Sequence, residues 1–85
     1  MLDNIFVNFN WKQYRLIFTR HWEERMLERW INIKMLIDSI ENYDLLYNSF
    51  WKKVVEKNNI LNIIRTVFSL KENNIILITS MKLWK

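Results

Sequence analysis

A chain of 85 residues with no glycine and no proline must reverse direction using residues that resist doing so. Glycine normally supplies positive φ without steric cost, and proline presets the first corner of a turn. Without them the work falls to asparagine, which tolerates left-handed backbone and caps helices well. The chain holds eleven Asn. The pairs Asn58-Asn59 and Asn73-Asn74 therefore mark the expected breaks, with a weaker one from Asn42 to Asp44.

Between these breaks the apolar spacing suggests the elements. In residues 1–12, Val7, Phe9 and Trp11 alternate with Asn8, Asn10 and Lys12, the period-two pattern of a strand or extended arm. From residue 13 to 41 the period changes. Phe18, Trp22, Met26, Trp30, Ile33, Ile37 and Ile40 recur at three- and four-residue steps, which predicts one long amphipathic helix. Leu16, Leu27 and Ile31 form a second apolar strip, as in a helix buried between neighbours. Residues 44–57 read as a second helix, with Asp44 as N-cap and Lys52, Lys53 and Lys57 toward its C-terminal end. Residues 59–71 read as a third, capped by Asn59, with Ile60, Ile63, Ile64, Val67 and Phe68 as its stripe. The β-branched run at 75–84 reads as a short strand or extended tail. The expected fold is mainly α: one long helix, two shorter ones, and extended or β termini, in a single small domain spanning 1–85.

Such a domain buries only about two-thirds of its unfolded surface. Yet 51% of the residues are hydrophobic, and with Gly and Ala absent the apolar side chains are large: twelve Ile, ten Leu, five Phe and five Trp. One small core cannot hide them all, and exposed apolar surface marks partner interfaces. The chain therefore reads as a subunit of something larger. A net charge of +4 and a pI near 9.6 suit an anionic neighbour.

Several chemistries are excluded. Without Cys there is no disulfide, no thiolate zinc site and no thiol nucleophile. Without Gly there is no Gly-rich phosphate loop. Ser39, Ser49, Ser69 and Ser80 lie in no nucleophile motif. His21, Glu24 and Glu28 share a helical face, but Arg20, Glu23, Arg25 and Arg29 around them make it a solvated ion-pair lattice rather than a metal site. No enzyme activity, cofactor, metal or small-molecule substrate is expected. The opening Met1-Leu2-Asp3-Asn4 carries no basic segment of a secretory signal, and no charge-free run is long enough to span a bilayer.

Nucleic acid is the remaining partner with sequence support. Arg25 and Arg29, one predicted helical turn apart, could straddle a phosphate backbone, with Arg15 on the same helix. Lys52, Lys53 and Lys57 form a second basic cluster. Trp22 or Trp30 could stack on an unpaired base. The alternative is peripheral membrane contact, with Trp and Tyr at the lipid interface and the cations on anionic headgroups.

The composition itself resembles that of a class of proteins. Ile, Asn, Lys, Leu, Phe and Tyr make up 49 of the 85 residues, and all six have AT-rich codons. An AT-rich gene should lack Trp, yet Trp11, Trp22, Trp30, Trp51 and Trp84 are retained, as they would be where TGA also encodes Trp. In this the chain resembles small proteins encoded in AT-rich protist mitochondrial genomes, especially those of ciliates. The resemblance implies a mitochondrial subunit of the ribosome, with rRNA and other subunits as partners, or of a respiratory complex of the inner membrane. It carries no motif from which functional residues could be transferred.

Overall fold

A computed structural model describes residues 5–19, Trp22 and residues 31–85. It is a β structure. Strands hold 61% of the described residues and helix 14%, which overturns the mainly α expectation. In chain order the elements are β1 (Phe6–Phe9), β2 (Lys12–Ile17), α1 (Ile33–Glu41), β3 (Leu45–Ser49), β4 (Lys52–Asn58), β5 (Asn62–Lys71) and β6 (Asn74–Trp84). They form one curled six-stranded sheet in the order β1-β2-β6-β5-β4-β3. All neighbours are antiparallel except β2 and β6, which run parallel with Leu16 opposite Ile75.

Both shorter helices predicted from the sequence are strands. The predicted 44–57 helix is the β3–β4 hairpin, with Leu46 opposite Val55 and Tyr47 opposite Val54. Leu46, Phe50 and Val54 are spaced four apart because a two-residue turn at Phe50-Trp51 separates two apolar strands, a spacing that a helical stripe shares. Asp44 caps no helix. Its carboxylate accepts from the Asn58 N–H at 2.6 Å and faces Lys57 at 4.0 Å.

The predicted 59–71 helix is β5. Ile64, Thr66 and Phe68 point inward, while Ile63, Arg65 and Val67 point outward. Apolar residues on both sheet faces hid the period of two, although four β-branched residues among these six favour strand. Asn59 instead shapes the β4–β5 loop, where its N–H donates to the Asn62 carbonyl at 2.8 Å.

Among the described residues, the long helix expected at 13–41 is replaced by strand at its start and kept at Trp22 and at its end. Lys12–Ile17 is β2, while α1 keeps Ile33, Ile37 and Ile40 on its inner face. Asn32 caps α1, its side-chain oxygen accepting from Met35 N–H at 2.8 Å. The middle of that range, including Arg25, Arg29 and Trp30, lies outside the described residues.

The terminal segments are strands. Val7 and Phe9 face the core and Asn8 faces out, but Trp11 leaves the alternation at the β1–β2 turn. β6 pairs with β5 and β2, not with the N-terminal run. Between Val67 and Phe68 the register shifts: Val67 pairs with Thr79 but Phe68 with Leu77, so Ile78 is the extra residue of a bulge. Ile75 and Leu77 face inward before it and Ser80 after it, and such bulges increase local twist.

The concave face of the curl carries the core. Helix α1 presses Leu36 and Ile40 onto a cluster that includes Phe9, Leu16, Trp22, Val55, Phe68, Ile75 and Leu77. Phe68 meets Phe9 edge-on, ring centroids 5.2 Å apart. A chain of buried hydroxyls joins the two layers. Ser39 donates to the Leu36 carbonyl at 2.6 Å and lies 2.8 Å from the Thr66 hydroxyl, which is 3.1 Å from that of Ser80. Each hydroxyl is buried with a partner, as burial of a polar group requires.

With no glycine, left-handed backbone falls on ordinary residues. Asn10 and Trp11 have φ of 53° and 67°, the two positive values of a mirror-image two-residue hairpin turn. Phe50 (φ 59°) and Glu72 (φ 58°) do the same at the β3–β4 and β5–β6 turns. Left-handed backbone costs a non-Gly residue on the order of 1 kcal/mol.

Candidate nucleic-acid interface

Burial sorts the five tryptophans. Trp22 is 1% exposed, packed with Phe18 at a centroid distance of 6.3 Å, and closed to any base. Trp30 is outside the described residues. Trp11 is fully exposed, Trp51 is 69% exposed and Trp84 67%. Among the described residues these are the indoles that can meet a partner, and none is among those that helical spacing selects for stacking. A signal was nonetheless present in the sequence. Each described exposed Trp is followed directly by lysine: Trp11-Lys12, Trp51-Lys52 and Trp84-Lys85.

The fold places these dipeptides at corners. Trp11 is the second residue of the β1–β2 turn and Trp51 lies in the β3–β4 turn. Trp84 ends β6, where the Lys85 N–H donates to the Leu61 carbonyl at 3.1 Å and ties down the C-terminal end. Cations lie against the aromatic faces: Lys52 Nζ is 5.1 Å from the Trp51 ring centroid, Lys82 Nζ 5.2 Å from that of Trp84, and Lys12 Nζ 5.1 Å from that of Tyr14. Such exposed pairs are worth about 0.5–1 kcal/mol each and hold the cation near the ring.

The six cations expected to bind phosphate do not form one patch. Arg25 and Arg29 are outside the described residues. Arg15 is exposed on the convex face of β2. Lys52 is on the same face of β4, three strands further along the sheet and so at least roughly 14 Å away. Lys53 and Lys57 point to the opposite, concave side, since they pair with the inward-facing Phe68 and Ile64. Lys53 donates to the Asn48 side chain at 3.0 Å, and Lys57 faces Asp44. The predicted Lys52, Lys53 and Lys57 cluster is therefore split between two faces, because a strand alternates where a helix would have grouped them.

Acidic side chains are engaged internally more than cations are. Asp38 accepts from Asn42 at 2.8 Å, Glu41 from the Asn8 N–H at 2.9 Å, Asp44 from Asn58, and Glu56 from Arg65 Nε at 3.1 Å. Of the five described acids only Glu72 has no such contact among the described residues. Lys12 at the β1–β2 turn and Lys85 beside Trp84 are exposed at corners, Lys52 is half-buried at a third, and Arg15 is exposed on β2.

Beside Trp11 lies an open depression of about 640 Å³ lined by Asn8, Asn10, Trp11, Glu41, Asn42 and Tyr43. The Tyr43 hydroxyl donates to Asn10 Oδ1 at 2.6 Å and fixes one wall. An aromatic plane beside amide groups can stack one face of a planar ring and hydrogen-bond its edge. The described residues hold no group of three or more potential metal ligands. His21, Glu24 and Glu28 lie outside them. No described helix is long and apolar enough to cross a membrane.

No family model matches the chain, and neither a curated protein nor a solved structure is significantly similar to it.

Proposed function

We propose that the chain is a non-catalytic structural subunit of a large assembly, a small basic protein of a mitochondrial ribosome that packs on rRNA and on neighbouring proteins. The observation that carries this reading is that, among the described residues, the three exposed tryptophans sit at corners of the sheet, each followed by a lysine. Stacking on an indole is sequence-tolerant because every base has a π-face, and an adjacent cation neutralises the phosphate that accompanies it.

The same corners suit a second reading, an accessory subunit of an inner-membrane respiratory complex. Indoles favour the headgroup level of a bilayer, and lysines meet anionic lipid there. Co-sedimentation of the tagged chain from detergent-solubilised mitochondria, with and without RNase, separates the two. Migration with a large particle that RNase disperses is expected. RNase-resistant migration with a respiratory enzyme would replace the ribosomal reading with the second one.

A further inference from the structure

The two edges of the sheet are treated differently. β1 is four residues long, and its Asn8 N–H is held by the Glu41 carboxylate at 2.9 Å. β3 has only β4 beside it, and among the described residues no backbone hydrogen bond reaches β3 from elsewhere. In an antiparallel ladder alternate backbone groups point away from the neighbour, so β3 offers a row of donors and acceptors. Sheet proteins blunt such edges with charge, proline or a bulge. The run Leu45-Leu46-Tyr47-Asn48-Ser49-Phe50-Trp51 has none of these: it is uncharged and its register with β4 is unbroken. Leu45 and Tyr47 are exposed on its convex side, and Phe50 is 98% exposed at its tip despite a φ of 59°.

We propose that β3 is an interface between two copies of this chain, paired antiparallel about a two-fold axis at Tyr47. That register pairs all five residues of the strand. Leu45 falls opposite Ser49 of the second copy, Leu46 opposite Asn48, and the two Tyr47 rings face each other. No charge opposes a like charge. On the convex face the row Tyr47, Val54, Val67 and Thr79, already aligned across β3, β4, β5 and β6, continues through the axis into the same row of the second copy. Aromatic pairs of this kind are a unit of sheet stabilisation.

The size of the contact is sufficient. A buried aromatic contributes about 150–250 Å². Phe50 offers nearly all of its surface and Tyr47 40% of its own. With Leu45 and the five-residue backbone strip this reaches on the order of 500 Å² per copy, or about 1,000 Å² in total, near the lower bound for a specific interface. An interface of this size suits a weak, reversible dimer. It joins two six-stranded sheets into one and leaves Trp11-Lys12 and Trp84-Lys85 of both copies exposed.

The test uses the purified full chain, free of RNA, in sedimentation velocity over a concentration series. A concentration-dependent monomer–dimer equilibrium is expected. Tyr47→Lys sets two like charges across the axis and should weaken self-association at least about tenfold, with the circular dichroism spectrum unchanged. Tyr47→Glu should do the same, and an equimolar mixture of the two variants should recover the dimer. Because the chain has no cysteine, a single Tyr47→Cys is a clean probe. Opposed residues of an antiparallel pair lie within disulfide range, so oxidation should yield a linked dimer, whereas Phe6→Cys on β1 should not. A monomer at every concentration, a dimer indifferent to Tyr47→Lys, or equal cross-linking from Phe6→Cys would overturn the proposal. These outcomes do not involve RNA and so leave the ribosomal reading to its own test.

Discussion

Replacing Trp11 with glycine should make the protein more stable while weakening its binding to RNA. Trp11 has a φ of 67° and follows Asn10 with a φ of 53°. Asn-Gly is the favoured pair for a turn with both central φ values positive. Relieving a side chain from left-handed backbone returns about 1–2 kcal/mol. The added freedom of glycine in the unfolded chain takes back roughly 0.5–1 kcal/mol. Nothing else is lost from the fold, because Trp11 is fully exposed and the nearby cation contact is from Lys12 to Tyr14. The Asn10 side chain, which accepts from Tyr43, is untouched. The net expectation is a gain of about 0.5–1 kcal/mol, or a rise of a few degrees in Tm for a domain of this size. Urea and thermal unfolding monitored by circular dichroism would measure it. Trp11→Gly less stable than wild type would refute the reasoning, since it would mean that the indole packs or that the turn is not left-handed. In the same sample, affinity for single-stranded RNA should fall, so that one substitution moves stability and binding in opposite directions.

Three further substitutions test the packing. Thr66→Val removes the middle of the buried Ser39–Thr66–Ser80 hydroxyl chain and should cost about 1–3 kcal/mol in urea unfolding, whereas the triple change Ser39→Ala, Thr66→Val and Ser80→Ala should cost less than the sum of its single changes. Trp22→Ala should cost about 3–5 kcal/mol, as expected for a large core side chain, and Trp22→Phe distinctly less, because the buried indole N–H has no hydrogen-bond partner among the described residues. Glu41→Ala uncovers the Asn8 N–H on the β1 edge; we expect a loss of about 1 kcal/mol and faster hydrogen exchange at that amide, read by NMR.

The parts of this fold legible in the sequence were those with one clean periodicity. Val7 and Phe9 alternate against Asn8, and only one face of β1 is buried. Ile33, Ile37 and Ile40 lie on one side of α1, although the start of that helix at the Asn32 cap was not read from the sequence. β4 and β5 were not legible as strands because both sheet faces carry apolar side chains: Val54 and Val55 are adjacent and both buried, as are Ile64 and Phe68 with half-buried Ile63 and Val67 between or beside them. Adjacent apolar pairs at three- and four-residue steps fit a helix equally well. The turns misled for a related reason. Asparagine was expected to mark every break, but the left-handed positions of two turns fall on Phe50 and Glu72, which give no local turn signal. At the candidate interface, the basic residues were legible as a list but not as a surface. Lys52, Lys53 and Lys57 would share a helical flank, whereas on a strand Lys52 faces away from the other two. The Trp-Lys dipeptides were visible from the start, but only burial separates Trp11, Trp51 and Trp84 from the core Trp22.

The most direct measurement is a tryptophan-fluorescence titration of the full chain with a single-stranded oligouridylate, repeated over a salt series and with anionic lipid vesicles as the parallel titrant. The account predicts saturable quenching by RNA that disappears in the triple variant Trp11→Leu, Trp51→Leu and Trp84→Leu, while the buried Trp22 reports an intact core. It also predicts a slope of log affinity against log salt of about −2, from roughly three phosphate contacts at about 0.7 each. Absence of quenching by RNA, together with a blue-shifted, enhanced emission on vesicles, would contradict the ribosomal reading and assign the three corners to a lipid headgroup surface.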